Sequence, residues 1–203
     1  MDDSKEKFMI KTNNKRMSTE TLVLASLMTA LVVVFQCLAT YTTFFGPFST
    51  AIGLIPIVIG AAMCGPIVGT WLGFVFALVV FLTGGANLFF MFSIPGTLIT
   101  VIVKGMACGF TSGLVYKLLN RLNKTVAAIA SAVICPIVNT GVFLIGSAIF
   151  FMPFAEKIAD LLLLEKAGFE VFVALALGNF IFEIGMNAVL SPVIVRILDM
   201  RKK

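Results

Sequence analysis

Long apolar runs separated by short joints constrain this chain more than any other feature. They occupy residues 21–41, 51–64, 66–83, 95–118, 124–152 and 171–197. A helix needs about 20 apolar residues to cross a hydrocarbon core, and this chain is 60% hydrophobic with a mean hydropathy of +1.08. We therefore expect an all-α integral membrane protein, a bundle of six transmembrane helices. The second run is short, and Gly65 and Pro66 join it to the third, so it is either a short helix feeding the next or a partly re-entrant element.

The positive charges predict how this bundle is oriented. With six spans both chain ends lie on one side, which then receives most of the lysines and arginines: Lys5, Lys7, Lys11, Lys15, Arg16, Lys117, Arg121, Lys124, Arg196, Arg201, Lys202 and Lys203. The opposite loops hold Lys157 and Lys166 among four acidic residues. The positive-inside rule therefore places both termini in the cytoplasm. We expect residues 1–20 to form a polar cytoplasmic tail and residues 21–203 to form a single membrane domain.

The sequence lacks the residues and motifs that several kinds of enzyme and metal site require. The chain has no histidine, which removes imidazole acid–base catalysis and histidine metal ligation. Its four cysteines, Cys37, Cys64, Cys108 and Cys135, are scattered singly and read as small core residues. No phosphate loop, serine elbow or H-E-x-x-H motif occurs. We expect no enzyme activity, cofactor or metal, and we expect any ATP hydrolysis to belong to partner subunits.

Small residues recur at helical spacing. Glycine occupies every fourth position in the third and fourth spans, at Gly65, Gly69 and Gly73 and at Gly105, Gly109 and Gly113. Such rows let helix backbones approach closely, and we expect them to pack inside the bundle. In the first span a small-residue patch is formed by Ala25, Ser26, Thr29 and Ala30. This patch can dock another helix, inside or outside this chain.

Two charged side chains fall within the apolar spans, Lys104 in the fourth and Glu183 in the sixth. Each costs about 2.5–3.5 kcal/mol at mid-membrane, so such groups are rarely left facing lipid. Their similar depths allow a structural ion pair. Alternatively, Lys104 belongs to a cavity that opens outward between spans four to six, because such sites combine apolar walls with a few placed polar groups. A substrate carboxylate near Lys104 would then be bound.

Other polar and aromatic residues fit the cavity interpretation. Asn139, Thr140 and Asn179 lie at comparable depth, and Asn179 shares a four-residue spacing with Glu183 and Asn187. We expect Asn187, the deepest of these three, to make a hydrogen bond between helices. The phenylalanine-rich segments 42–50 and 84–94 would cap the cavity. The amphipathic segment 153–170 is either part of this lid or a solvated loop on the membrane surface.

The order of these features resembles a known family. The first span contains "ASLMTALVVVFQ", the second and third read "LIPIVIGAAMCGPIVGTWLGFVFALVVFLTGG", and "PIVNTGVFLIG" is followed by "GNFIFEIGMN". Together they resemble the substrate-binding S-component of an energy-coupling factor (ECF) vitamin transporter, over about residues 21–198. The resemblance implies a vitamin-capturing subunit of a prokaryotic plasma membrane. Its implied partners are a water-soluble vitamin, the lipid membrane, a transmembrane scaffold subunit and two ATP-binding subunits, with no nucleic acid.

The resemblance also assigns roles to residues. The vitamin would bind near the outer face between helices four to six, and Asn139 and Asn179 match asparagines that touch it. The scaffold would dock on Ala25, Ser26, Thr29 and Ala30, where serine replaces the first alanine of an A-x-x-x-A pattern. The predicted substrate-binding residues are Phe45, Phe48, Asn87, Phe90, Thr97, Lys104, Asn139, Phe143, Asn179 and Glu183.

The identity of the vitamin is predicted less directly. Riboflavin-type members resemble N-x-x-K in the sixth helix, whereas this chain has Glu183 four positions after Asn179 and no lysine there. Their D-F-S-D-V-P-like entry to the second helix is also replaced, by "STAIGLIPIV". Because Lys104 suits an anionic cargo, we expect pantothenate. Folate, riboflavin and hydroxymethylpyrimidine remain alternatives, as does a small structural or channel protein that binds no vitamin.

Overall fold

A computed structural model describes residues 18–41, 53–163 and 168–200, and this part of the chain contains helices and no strands. The predicted tail up to residue 17, and the first predicted cap at 42–50, lie outside the described residues. The helices are α1 (Thr19–Tyr41), α2 (Leu54–Cys64), α3 (Pro66–Leu82), α4 (Asn87–Phe90), α5 (Ile94–Leu119), α6 (Lys124–Phe150), α7 (Ala155–Leu161) and α8 (Phe169–Met200).

Helices occur in all six predicted spans, and four of them are long and apolar enough to cross a membrane. Those four are Thr19–Thr40, Ile94–Leu119, Lys124–Phe150 and Phe169–Asn187. Helix α2 has 11 residues and is therefore about 16 Å long, which is short of a hydrocarbon core of about 30 Å. Helix α3 has 17 residues, at the lower limit for a span. The chain is thus a multi-pass helical membrane protein, and the count of six spans stays a prediction.

Side-chain caps and one glycine determine where several helices begin. Ser93 Oγ accepts a hydrogen bond from Gly96 N at 3.2 Å and caps α5. Asn123 Oδ1 accepts one from Thr125 N at 2.8 Å and caps α6. Gly65 adopts φ +95°, which ends α2, and Pro66 begins α3. Helix α2 is therefore connected to α3 by one residue, Gly65, whose positive φ angle is readily adopted only by glycine.

The glycine rows of α3 and α5 pack inside the bundle, as the sequence predicts, and the structure shows that each row is the other's partner. A Cβ added to Gly69 would run into the Gly109 carbonyl, and one added to Gly73 would run into the Gly105 carbonyl. A Cβ added to Gly113 would meet Pro66 Cα at 2.7 Å. Backbones can approach this closely only where side chains are absent. The crossing brings Lys104, which adjoins Gly105, into the bundle.

Helices α5 and α6 are joined by a buried pair of serines. Ser112 Oγ and Ser131 Oγ lie 2.8 Å apart. Ser112 Oγ also donates to the Ser131 carbonyl at 3.1 Å, and Ser131 Oγ donates to the Ser112 carbonyl at 2.9 Å. Because both hydroxyls are satisfied across the interface, the two helices are held in one register.

The buried apolar side chains form two clusters. The larger one joins α1, α2, α3, α5 and α6. The smaller one contains Phe89 of α4, Phe143 of α6 and Phe172 of α8. It also contains Phe151, which follows α6, and one face of α7. We call this the aromatic end of the bundle. Part of the amphipathic segment 153–170 thus forms α7, whose Ala155, Ile158 and Ala159 are buried in the protein.

Candidate functional site

Glu183 is buried between helices and bound by an asparagine. Asn139 Nδ2 on α6 lies 3.4 Å from Glu183 Oε1 and 3.3 Å from Oε2, so the amide donates to the carboxylate. The two side chains are 3% and 2% exposed respectively. A buried carboxylate needs such donors, because its desolvation is costly. The predicted residues Asn139 and Glu183 therefore meet in one polar contact between α6 and α8.

Lys104 lies against an aromatic ring beside this contact. Its Nζ is 5.7 Å from the centroid of the Phe143 ring, within the range of a cation–π interaction. Phe143 follows Asn139 by one helical turn on α6, which puts both on the same face. Lys104 and Glu183 are also close enough for their charges to interact. The two charges predicted in the apolar spans thus belong to one cluster with Asn139 and Phe143.

A small cavity adjoins Lys104 at the aromatic end. Its volume is about 30 Å³, room for water but far too small for a drug-sized molecule. Its lining consists of Val80, Gly85, Ala86, Phe89, Thr97, Thr100, Val101, Lys104, Phe143 and Phe151. This lining carries one positive charge, two hydroxyls and three aromatic rings, and none of its residues is acidic. The cavity therefore combines apolar walls with a positive group at one place.

Phe89 closes this cavity together with two other rings. Its ring centroid lies 5.5 Å from that of Phe143 in an edge-on arrangement and 5.0 Å from that of Phe151. Both contacts are typical of attractive aromatic pairs. Phe89 belongs to the four-residue helix α4, which follows Gly84 at φ +77°. The ring that narrows the cavity thus sits on a short segment after a turn that glycine permits.

The two threonines of the lining differ in their hydrogen bonds. Thr97 Oγ1 donates to the Ser93 carbonyl at 2.6 Å, one turn earlier in the helix. Thr100 is 3% exposed, and its Oγ1 has no hydrogen-bond partner among the described residues. An added Cβ on Gly146 of α6 would run into the Thr100 side chain, so that glycine provides the room for it.

Several predicted site residues lie away from the cavity lining or outside the described part. Asn87 is exposed, and a Cβ on Gly84 would meet its Nδ2 at 2.8 Å. Phe90 packs on Phe81 with ring centroids 5.6 Å apart, whereas its neighbour Phe89 lines the cavity. Phe45 and Phe48, and the side chain of Asn179, lie outside the described residues.

Asn187 differs from the expectation of a bond between helices. Its Nδ2 donates to the Glu183 backbone carbonyl at 3.0 Å, within its own helix. The side chain is buried, and its Oδ1 has no partner among the described residues. A residue four positions after Glu183 can reach that carbonyl directly, and the sequence alone cannot distinguish this bond from one to a neighbouring helix.

Thr100, Phe89 and Phe151 were not predicted from the sequence. A signal for Thr100 was available, because Thr97, Thr100 and Lys104 follow one another at three- and four-residue spacing and share a helix face. Phe89 and Phe90 are adjacent in the sequence, and only the direction of α4 determines which of them turns inward. Phe151 follows the last residue of α6, so its direction depends on how that helix ends.

The predicted docking patch lies on a separate apolar groove between α1 and α3. Ala25, Ser26 and Thr29 line it with Leu22, Ile67, Val68 and Trp71, around a volume of about 440 Å³. Ser26 Oγ donates to the Leu22 carbonyl at 2.9 Å, and Thr29 Oγ1 donates to the Ala25 carbonyl at 2.7 Å. Because both hydroxyls are bonded within α1, they add little polarity. Ala30 is exposed but does not belong to this lining.

Among the described residues, no group of three or more Cys, Asp or Glu side chains is placed to hold a metal ion.

These features define a helical multi-pass membrane protein with a charged site enclosed at one end of the bundle. A family model described as the substrate-specific component of ECF transporters matches residues 20–195. The chain belongs to this family, and it is therefore a substrate-binding subunit for transport rather than an enzyme. Membership implies a small-molecule substrate and partner scaffold and ATPase subunits. No curated protein and no solved structure matches the chain.

Proposed function

We propose that this chain captures a water-soluble vitamin at the outer face of a prokaryotic plasma membrane and binds it at the aromatic end. The observation that supports this most strongly is the cavity lined by Lys104, two threonines and three phenylalanines. It lies at the end of the bundle that the charge distribution predicts to face outward. In this proposal six helices span the membrane, both termini are cytoplasmic, and the outward cavity receives the substrate.

The vitamin that fits this proposal best is pantothenate, a small flexible acid. Lys104 offers a positive charge for its carboxylate, Thr97 lines the cavity, and Asn139 is expected to touch the ligand from the family resemblance. Sites for molecules of this kind usually enclose about 300–1,000 Å³, far more than the present cavity of about 30 Å³. Binding therefore requires an outward shift of Phe89 with α4, after which the aromatic rings close over the ligand.

In this proposal the α1–α3 groove binds the scaffold subunit. A scaffold helix would insert apolar side chains beside Ala25, Ser26 and Thr29, because small residues allow close helix contact. The scaffold would connect the chain to two ATP-binding subunits, which supply the energy for release. The groove is lined by α1 and the first turns of α3, whereas Lys104 and both threonines of the cavity lie on α5, so one can be disrupted without the other.

The experiment is a binding titration of the purified chain in detergent micelles. Pantothenate, folate, riboflavin and hydroxymethylpyrimidine are titrated by calorimetry, and mass spectrometry identifies any small molecule that copurifies. We expect tight binding of one vitamin, with pantothenate first, and Asn179→Leu should abolish it. Ile181→Ala is the matched control, because Ile181 is exposed on the same helix. Absence of binding across a complete vitamin panel would reject the proposal.

A second candidate function is a structural or channel role without a vitamin. It is favoured by the electrostatic attraction between Lys104 and Glu183 and by the small size of the cavity. In that case the double variant Lys104→Met/Glu183→Leu should be tolerated, at a cost no greater than that of losing the hydrogen bonds from Asn139 to Glu183. A double-mutant cycle on this pair, with and without ligand, separates the two functions.

A further inference from the structure

Thr100 is an unusual threonine for a helix in apolar surroundings. Such residues commonly donate their hydroxyl to a carbonyl one turn earlier, as Thr97 and Thr111 of the same helix do at 2.6 Å and 2.7 Å. Thr100 Oγ1 makes no hydrogen bond among the described residues, although the side chain is 3% exposed. A buried hydroxyl without a partner is unfavourable. Thr100 also lines the cavity and packs against Gly146 of α6, so among the described residues a bound ligand is the partner left for this hydroxyl.

Lys104 lies one helical turn after Thr100. Both side chains are therefore on the same face of α5, and both line the cavity. Glu183, the acidic residue of the cluster, already accepts hydrogen bonds from Asn139 and is absent from the cavity lining. The described lining therefore offers one cation and one hydroxyl donor, and none of its residues repels an anion.

We propose that Lys104 and Thr100 together form a carboxylate subsite and that the substrates of this chain are small organic acids with a single carboxylate. The ammonium supplies the charge, and the Thr100 hydroxyl donates to a carboxylate oxygen. This inference rests on the proposed function and adds the chemical class of the ligand. Thr100 is a specificity-determining residue. Glu183 lies outside the lining, where its buried carboxylate accepts hydrogen bonds from Asn139.

The rest of the lining suits the uncharged part of such an acid. Phe89, Phe143 and Phe151 provide apolar and aromatic contact. A second carboxylate would find no second cation in the described lining, so a dicarboxylate would have one charge unmatched in an apolar enclosure. Single carboxylates are therefore favoured over both neutral molecules and dianions.

The test compares an acid with its neutral analogue on matched variants. Purified wild type is titrated with pantothenate and with its primary alcohol, which lacks the charge, and with biotin, nicotinate and folate beside the neutral vitamins. We expect a single-carboxylate vitamin to bind at least tenfold more tightly than its neutral analogue. Lys104→Met should remove this preference. Equal affinity of the wild type for the acid and its alcohol, or tight binding of only a neutral or dianionic vitamin, would overturn the proposal.

Substitutions at Thr100 isolate its hydroxyl. Thr100→Val keeps the shape and removes the donor, and it should weaken binding of the acid roughly tenfold to hundredfold, the value of a hydrogen bond to a charged group. The alcohol should be affected much less. Thr100→Ser should retain the preference for the acid. Thr111→Val is the control, because its hydroxyl bonds within the helix away from the cavity, and it should leave both affinities unchanged.

The outcomes distinguish this inference from the proposed function. If no vitamin binds, the proposed function fails as well. If a vitamin binds and Thr100→Val has no effect on the acid, only the carboxylate subsite is wrong. Should Thr100→Val fail to give a monodisperse protein, Thr100→Ala, which also lacks the hydroxyl, is compared with Thr100→Ser on the acid and the alcohol, and equal affinities of these two variants for the acid would reject the subsite.

Discussion

Replacing Asn139 by leucine tests the polar contact on which the site is built. Asn139 Nδ2 is within 3.4 Å of both carboxylate oxygens of Glu183, and the two side chains are almost fully buried. Asn139→Leu removes these donors and leaves the carboxylate in place. A hydrogen bond to a charged group contributes about 1.5–3 kcal/mol, and these two distances are longer than those of the strongest such bonds. We expect a loss of about 2 kcal/mol in unfolding free energy.

That loss is measurable as a change in melting temperature. For a domain of this size about 1 kcal/mol shifts Tm by roughly 2–4 °C, so Asn139→Leu should lower it by roughly 4–8 °C. The assay is thermal unfolding of purified protein in one detergent, followed by near-UV circular dichroism. Asn187→Leu is a matched control, because Asn187 is buried on α8 but donates to a neutral carbonyl. It should cost less than about 1 kcal/mol.

The charge of Glu183 is tested by repeating the substitution in a neutral background. In Glu183→Gln the carboxylate is gone, so Asn139→Leu should then cost about 1 kcal/mol less than in the wild type. The cost of Asn187→Leu should be the same in both backgrounds. The reasoning is refuted if Asn139→Leu is neutral in the wild type, or if its cost does not depend on the charge at position 183.

Three further predictions follow from the packing and the two sites. Gly73→Ala should lower unfolding free energy by about 1–3 kcal/mol through overpacking at the Gly105 carbonyl, whereas Gly141→Ala, with nothing within 4 Å of its Cβ, should not; equal Tm values would contradict the tight crossing. Phe89→Ala should accelerate association of the captured vitamin and its release, measured by filter binding of radiolabelled ligand, and unchanged rates would show that this ring does not close the site. Ser26→Leu should fill the α1–α3 groove, abolish copurification with the scaffold subunit and uptake into cells, and leave vitamin affinity intact. Val23→Leu on the exposed side of α1 is its control, and normal uptake by Ser26→Leu would remove the groove from the docking surface.

The helical membrane character of this protein follows from local sequence properties. Apolar runs near 20 residues have few stable alternatives to helix in lipid, because every backbone polar group must be bonded within its own segment. The close-packing face of each glycine row could also be predicted, since a four-residue spacing places the glycines on one helix face whatever the partner is. Helix starts at Ser93 and Asn123 also follow from residues that commonly cap helices.

The polar cluster was predicted in part. Charged residues in apolar spans stand out against their surroundings, so Lys104 and Glu183 were found, and Asn139 was matched through the family resemblance. Thr100 was missed because a threonine in such a helix is ordinary until its hydroxyl is known to lack a partner. Phe89 and Phe90 have the same side chain at neighbouring positions, so composition could not choose between them.

What the sequence determined by itself is therefore the class of protein, the helical segments and the residues too polar to face lipid, because these depend on hydropathy and on spacing along one helix. Only the tertiary structure decided that Asn139 meets Glu183, that Lys104 lies on the Phe143 ring, and that Phe89 narrows the cavity. Each of these contacts joins residues from different segments. Its geometry depends on how α4, α5, α6 and α8 pack, and packing is a property of the whole bundle rather than of any one helix.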